Sequence, residues 1–275
     1  MFKIINKQEL AKDIIKLIVE APLIAQKASA GQFVVVIVDA QGERIPLTLA
    51  DWDKEKGNIT LILQKVGYTT KKLAALKIND PIDHILGPLG HATEIKNTGT
   101  VICIGGGVGI AEIYPVSRAF KQAGNRTIGI IGARSKDLII LENEMKGVCD
   151  ELFVTTDDGS YVAKGLVTDV LKEFLAVIEK STHTQYPGLV YCIGPVRMMQ
   201  AVSEVTRDYN IKTMVSVNPI MVDATGMCGA CRCTVDGKTV FGCVDGPDFD
   251  GHRIDFDELE KRLKVFKEQE LKVNN

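Results

Sequence analysis

The sequence predicts a mixed fold, α/β plus all-β: an N-terminal β-barrel over residues 1–97, a parallel-sheet α/β domain over 98–220, a cysteine loop over 221–255 and a C-terminal helix over 256–275. Three observations carry this expectation. The first third of the chain holds short β-branched runs separated by polar and glycine-containing turns. From about residue 98, strand and helix patterns alternate, and a glycine run directly follows the first strand. Near the C-terminus, cysteines crowd into one glycine-rich stretch.

Composition leaves this division room. A length of 275 residues suits about two domains, and 45% hydrophobic with 25% charged residues describes an ordinary globular core. The net charge of -2 gives no reason to expect nucleic acid or an anionic membrane as partner. Met1-Phe2-Lys3 runs through Ile4-Ile5 into the polar Asn6-Lys7-Gln8-Glu9, without the apolar segment of an export signal. Val101 to Val116, the least polar long stretch, is broken by glycines and Glu112 and reads as a buried strand entering a helix rather than a membrane span. The expectation is a cytoplasmic protein.

In the first third, Ile14–Val19, Phe33–Val38 and Ile59–Leu63 read as strands of a barrel or sandwich. Arg44-Ile45-Pro46-Leu47-Thr48 follows, with an Arg and a Thr on alternating positions that could hold a phosphate and a flavin ring edge; an exposed strand arginine can equally be solvated. At Gly67-Tyr68-Thr69-Thr70 the period turns helical. Glycine, hydroxyls and free N–H groups at a helix start suit a pyrophosphate, and a plain N-cap by Thr69 or Thr70 is the competing explanation. Gly87-Pro88-Leu89-Gly90 reads as a rigid turn closing the module.

In the middle, strand Val101–Ile104 runs into Gly105-Gly106-Gly107-Val108-Gly109 and then a helix over Ile113–Phe120. Strands at Thr127–Ile131, Glu151–Thr155 and Leu189–Ile193, with helices near Leu141–Met145 and Leu166–Val177, complete a parallel pattern. Glycines at the end of the first strand let a dinucleotide backbone approach. The fingerprint G-x-G-x-x-G from Gly105 fails at Ile110, and Arg134 stands where an acidic residue would close the second strand. That arginine suggests a 2′-phosphate and hence NADP, or else caps a helix or pairs with Asp137.

Cys228, Cys231 and Cys243 have the spacing C-x2-C-x11-C, and Asp223 extends it to D-x4-C-x2-C-x11-C. This is the ferredoxin-type arrangement of a [2Fe–2S] cluster with its first thiolate replaced by a carboxylate. Gly226 and Gly229 allow the tight bend, and a returning strand brings Cys243. Cys233 lies in the outgoing strand and is assigned to packing. Zinc would want a second close cysteine pair, and disulfides sit badly with an odd count of seven cysteines and no secretory signal. Asp223 can alternatively be a turn residue.

Taken in order, Arg44-x-Pro46-Leu47-Thr48, Gly67-Tyr68-Thr69-Thr70, Gly105 to Gly109, Thr156-Asp157-Asp158-Gly159-Ser160, Cys192-Ile193-Gly194-Pro195 and the cysteine loop resemble the ferredoxin–NADP reductase superfamily, in its dihydroorotate dehydrogenase electron-transfer subunit branch. The resemblance covers about residues 1 to 255. It implies an FAD-binding β-barrel, an NAD-binding α/β domain and a [2Fe–2S] loop that passes single electrons to a larger subunit. Dihydroorotate-type subunits carry a fourth cysteine where this chain has Asp223. An aspartate there is similar to the small subunits of flavin-bifurcating NADH-dependent ferredoxin:NADP+ oxidoreductases, also called sulfide dehydrogenase subunits. That likeness implies NAD(H) as this subunit's nucleotide, against the simple reading of Arg134. It also implies NADP on a larger FAD/[4Fe–4S] partner, and ferredoxin reached through that partner.

The resemblance assigns Arg44, Pro46, Leu47 and Thr48 to the flavin, Gly67 to Thr70 to its pyrophosphate, and Gly105 to Gly109 to NAD phosphates, with Arg134, Asp157, Asp158, Gly194 and Pro195 nearby. No catalytic acid or base is expected, because hydride transfer needs alignment rather than a triad. His84, His91, His183 and His252 are scattered and read as surface or packing residues. Phe256–Val273 reads as a helix that packs on its own domain or docks the large subunit. The alternatives are the dihydroorotate dehydrogenase subunit itself, a stand-alone NAD(P)H reductase, and, from another class, a zinc-binding module with no enzymatic role.

Overall fold

The computed structural model describes residues 1–180 and 185–266. His183 and the part of the expected C-terminal helix beyond 266 lie outside the described residues. The chain divides into two compact units. Of the described residues, the first comprises 1–93, 217–247 and 255–266; the second comprises 94–180, 185–216 and 248–254. The stretch from Asp223 to Cys243 lies in the first, β-rich unit.

The first unit starts with β1 (Phe2–Ala11), β2 (Ile14–Glu20), α1 (Pro22–Lys27), β3 (Phe33–Ile37), β4 (Ile45–Asp53), β5 (Asn58–Gln64), α2 (Tyr68–Ala75), β6 (Pro81–Ile82) and β7 (His84–Leu89). Its sheet has the order β6-β1-β2-β5-β4-β3-β7, antiparallel throughout, and forms a nearly closed barrel. Period-two alternation supplies the core. Ile15, Leu17 and Val19 of β2 and Ile59, Leu61 and Leu63 of β5 all point inward. Gly87-Pro88 is not a closing turn. It lies within β7, where a register shift between Val35↔Leu86 and Phe33↔Leu89 absorbs it.

The second unit carries β8 (Thr100–Gly106), α3 (Gly109–Gln122), β9 (Arg126–Ala133), α4 (Glu142–Val148), β10 (Glu151–Thr156), β11 (Ala163–Lys164), α5 (Val167–Glu179), β12 (Leu189–Ile193), α6 (Val196–Asp208) and β13 (Thr213–Ser216). The chain then returns to the first unit for the hairpin β14 (Arg232–Val235) and β15 (Lys238–Phe241). It adds β16 (Asp248–Asp250) to the second unit and ends its described part in the first unit with α7 (Phe256–Leu263). The second sheet runs β11-β10-β9-β8-β12-β13-β16, parallel except for β16 against β13. Strand order reverses between β8 and β12, the point where open α/β sheets take their ligands. No helix among the described residues is long and apolar enough to cross a membrane.

The segment carrying β16 is held by polar contacts within its unit. Tyr191 donates its hydroxyl to Asp248 at 2.7 Å, and Arg207 donates to the His252 carbonyl at 3.1 Å. His252 Nε2 lies 3.0 Å from the Thr206 hydroxyl, which also accepts from Thr213. Burial, opposed by Asp250 and aided by Arg207, holds the His252 pKa below its ordinary value. The unfolded chain therefore binds more protons than the native one as pH falls through the histidine's ordinary range, and stability is lost on acidification. The melting temperature should fall between pH 7.5 and about 5.5, and fall less in His252→Asn, as read by thermal scans of both proteins at each pH.

Candidate functional site

In the first unit, the stretch from Asp223 to Cys243 is shaped by its own backbone. Ala224, Gly226 and Gly229 take φ of 62°, 86° and 66°, the left-handed region that turns successive N–H groups toward the inside of a loop. Asp223 Oδ2 accepts from the Thr225 N–H at 3.1 Å, from the Thr225 hydroxyl, and from the Met227 N–H at 3.4 Å. Its other oxygen takes the Arg44 guanidinium at 3.1 Å. The Thr225 hydroxyl above all, then these N–H groups and Arg44, hold the Asp223 carboxyl below its usual range.

Cys231 and Cys243 are buried with their sulfurs 3.2 Å apart. Phe33, Val35 and Ala224 surround them. Burial, and then the neighbouring Cys231 sulfur, push the Cys243 thiol up to about 12, while the Gly226 N–H pulls the other way. Cys228 is exposed, and the Ala230 N–H at 3.5 Å draws its thiol below the ordinary value. Soft sulfur donors met by backbone N–H groups in an apolar setting are what an iron–sulfur cluster requires, and these residues fit one. As placed, no three His, Cys, Asp or Glu side chains among the described residues could hold a metal ion. Cys233 pairs with Val240 across the hairpin, and burial pushes its thiol up to about 11.

The helix α7 packs against this loop. Phe256 and Leu259 are buried, the Asp255 side chain caps the helix through the Glu258 N–H at 2.8 Å, and Arg262 donates to the Ala230 carbonyl at 3.0 Å. Residues 256–263 thus pack within their own unit. Arg262 escaped sequence reading because its contact spans 32 positions and leaves no local signal.

Arg44 immediately precedes β4. Pro46 and Thr48 lie opposite Val35 and Phe33 of β3, so they share the sheet face on which the cysteine loop rests. Leu47, one residue out of phase, packs into the barrel core, leaving its backbone for any ligand outside. Gly67 caps α2, and the Thr70 hydroxyl accepts from the Gly67 N–H at 2.9 Å, which makes Thr70 the N-cap partner. Tyr68 is exposed. Thr69 is buried and donates its hydroxyl to Glu43 at 2.5 Å. Glu43 was not expected at this helix start; an acidic residue beside Arg44 was its only trace in the sequence.

In the second unit, the predicted residues gather at the carboxyl ends of neighbouring strands. Gly105 and Gly106 end β8, and Gly107 turns with φ 58° and open space around it. Val108 caps α3 and Gly109 begins it, four residues before the expected start at Ile113. A Cβ on Gly109 would meet the Ile193 carbonyl at 2.7 Å, and one on Gly194 would meet Gly106 N at 3.2 Å, so β8, β12 and α3 approach as closely as glycine allows. Pro195 caps α6. Arg134 follows β9 and is exposed, while Asp137 takes the Ser135 hydroxyl at 2.6 Å. Asp157 and Asp158 follow β10, and the Ser160 hydroxyl and N–H hold the Asp158 carboxyl low. A glycine turn into a fourteen-residue helix at the switch point suits a dinucleotide phosphate.

Residues 218–255 match the iron–sulfur cluster binding domain of dihydroorotate dehydrogenase B. Over 268 residues the chain is 44% identical to the dihydroorotate dehydrogenase B (NAD(+)) electron transfer subunit homologue of Thermotoga maritima, spanning 98% of this chain and 92% of that one. It is 31% identical to the dihydroorotate dehydrogenase B (NAD(+)) electron transfer subunit of Bacillus cereus, spanning 90% and 94%. A solved structure of NADH-dependent reduced ferredoxin-NADP oxidoreductase, reported for flavin-based electron bifurcation, superposes with a TM-score of 0.92 at 42% identity, covering 100% of this chain and 96% of that one.

The glycine packing can be checked directly. Gly109→Ala should destabilise the second unit by about 1–3 kcal/mol in urea unfolding, because its new methyl meets the Ile193 backbone. In Gly106→Ala the nearest obstacle is the movable end of Met198, and the loss should be smaller.

Proposed function

The chain belongs to the family of electron-transfer subunits of dihydroorotate dehydrogenase B and their homologues, and from this we propose that it is the small subunit of a flavin-bifurcating NADH-dependent reduced ferredoxin:NADP+ oxidoreductase. It exchanges hydride with NAD(H) at FAD and passes single electrons through a [2Fe–2S] cluster to a larger partner. The observation that carries the reading is the D-x4-C-x2-C-x11-C loop folded around the Cys231–Cys243 pair, in a chain matched over its whole length by such an oxidoreductase. We assign the larger partner an FAD, [4Fe–4S] clusters and the NADP site, with ferredoxin reached through it.

Bound FAD supplies the conversion between two-electron and one-electron chemistry, and the cluster supplies a one-electron relay. What the chain contributes is placement. We assign Asp223, Cys228, Cys231 and Cys243 to the irons, where a carboxylate in place of a fourth thiolate sets a harder donor on one iron. Pro46 and Thr48 on the outer face of β4, with the backbone of Leu47, border the flavin. Arg44 and the Gly67–Thr70 turn offer a guanidinium and helix N–H groups to its phosphates. Gly105 to Gly109 admit the NAD phosphates beside Gly194 and Pro195, with Arg134, Asp157 and Asp158 at the rim.

A dihydroorotate dehydrogenase subunit is the second reading, favoured by the names of the 44% and 31% identical relatives. Asp223, where such subunits carry a cysteine, speaks for the first. Co-purification of a large flavoprotein with two [4Fe–4S] clusters would decide for bifurcation. The purified chain should be yellow-brown, with flavin bands over broad iron–sulfur absorption. Cys231→Ser should lose most of its iron while Cys233→Ser keeps it, as read by metal analysis. A colourless protein with stoichiometric zinc would sink the reading.

A further inference from the structure

Residues 43 and 44 each grip a different site of the first unit. Glu43 Oε2 accepts the hydroxyl of Thr69 in the first turn of α2, at 2.5 Å. The next residue, Arg44, donates Nη1 to Asp223 Oδ1 of the cysteine loop at 3.1 Å. Asp39, earlier in the same loop, pairs with Lys72 of α2. Beyond Arg44, Pro46 and Thr48 continue along the sheet face that carries Phe33 and Val35 beneath the cysteines. One short connection therefore joins the flavin border to the cluster loop.

Both members of the Arg44–Asp223 pair have a second claimant under the proposed function, on which this inference rests for the identity of its ligands. Asp223 already has Oδ1 on Arg44 and Oδ2 on Thr225 and Met227, so an iron taking either oxygen competes with a bond now made. Arg44 would have to divide its donors between the carboxylate and a flavin phosphate. Their side chains are 43% and 24% exposed, so the pair is not locked by burial and can be exchanged. We infer that Arg44 exchanges partners, passing from Asp223 to the FAD phosphate as Asp223 turns to the cluster, so that flavin and cluster loading favour each other.

The test is calorimetric titration of FAD into the full chain stripped of flavin, under anaerobic conditions, with the cluster either reconstituted or removed by chelation. The cluster-loaded chain should bind FAD at least about five-fold more tightly than the cluster-free one. In Arg44→Gln, FAD binding weakens in both forms and their ratio falls toward one. Arg44→Lys keeps the charge without the fork, gives an intermediate ratio, and serves if the glutamine variant binds too weakly to titrate. Reciprocity requires FAD to slow iron loss to a chelator in the wild type. Equal FAD affinity of the two wild-type forms overturns the exchange, as does a ratio that survives unchanged in both variants. A chain that takes up no FAD, or no iron, overturns the proposed function itself and this inference with it.

Discussion

Strand β3 is buried on both faces, and the first unit depends on that double burial. Val34, Val36 and Val38 fill the barrel, while Phe33 and Val35, one residue out of phase, form the apolar floor beneath Cys231 and Cys243. Each such side chain contributes about 1.5–3 kcal/mol by leaving water. A slip of one residue would exchange the two faces. The barrel register and the seat of the cysteine loop are thus set by the same short run, Phe33–Val36 with Val38 just beyond the strand. This explains why a run of consecutive apolar residues, rather than an alternating one, appears at this place in the chain.

The second unit meets its constraint with glycine instead of bulk. At the switch point between β8 and β12, backbone packs on backbone: Gly109 against the Ile193 carbonyl and Gly194 against Gly106. Side chains removed there bring α3 close to the sheet and leave Gly107, with its positive φ, facing open space. The same economy that tightens the packing leaves an open mouth at the carboxyl ends of β8 and β12, where the proposed nucleotide site lies.

The class of each unit was legible because it rests on periodicity, which the sequence carries locally. The parallel strands fall where the apolar runs end in glycine, and the hairpin after Cys231 follows from its alternation. The start of α3 was read four residues late, since Gly105 to Gly109 hide a helical period. Gly87-Pro88 looked like a turn because a bulge within a strand uses the same residues. Within the cysteine loop, the turn that Asp223 makes with Thr225 is local and readable, whereas its ion pair with Arg44 spans 179 positions and is not. Glu43 and Arg262 were missed for the same reason: the contact that defines each lies far along the chain.

The route of the chain has a consequence for its synthesis. Asp248–Ile254 supplies the antiparallel edge of the second sheet, and the residues on either side of it belong to the first unit. Each unit takes a late segment of the chain, 217–247 for the first and 248–254 for the second. The barrel core draws only on residues between Phe2 and Ile85 and is free to form early, whereas the second sheet gains its antiparallel edge only once Asp248–Asp250 has been made.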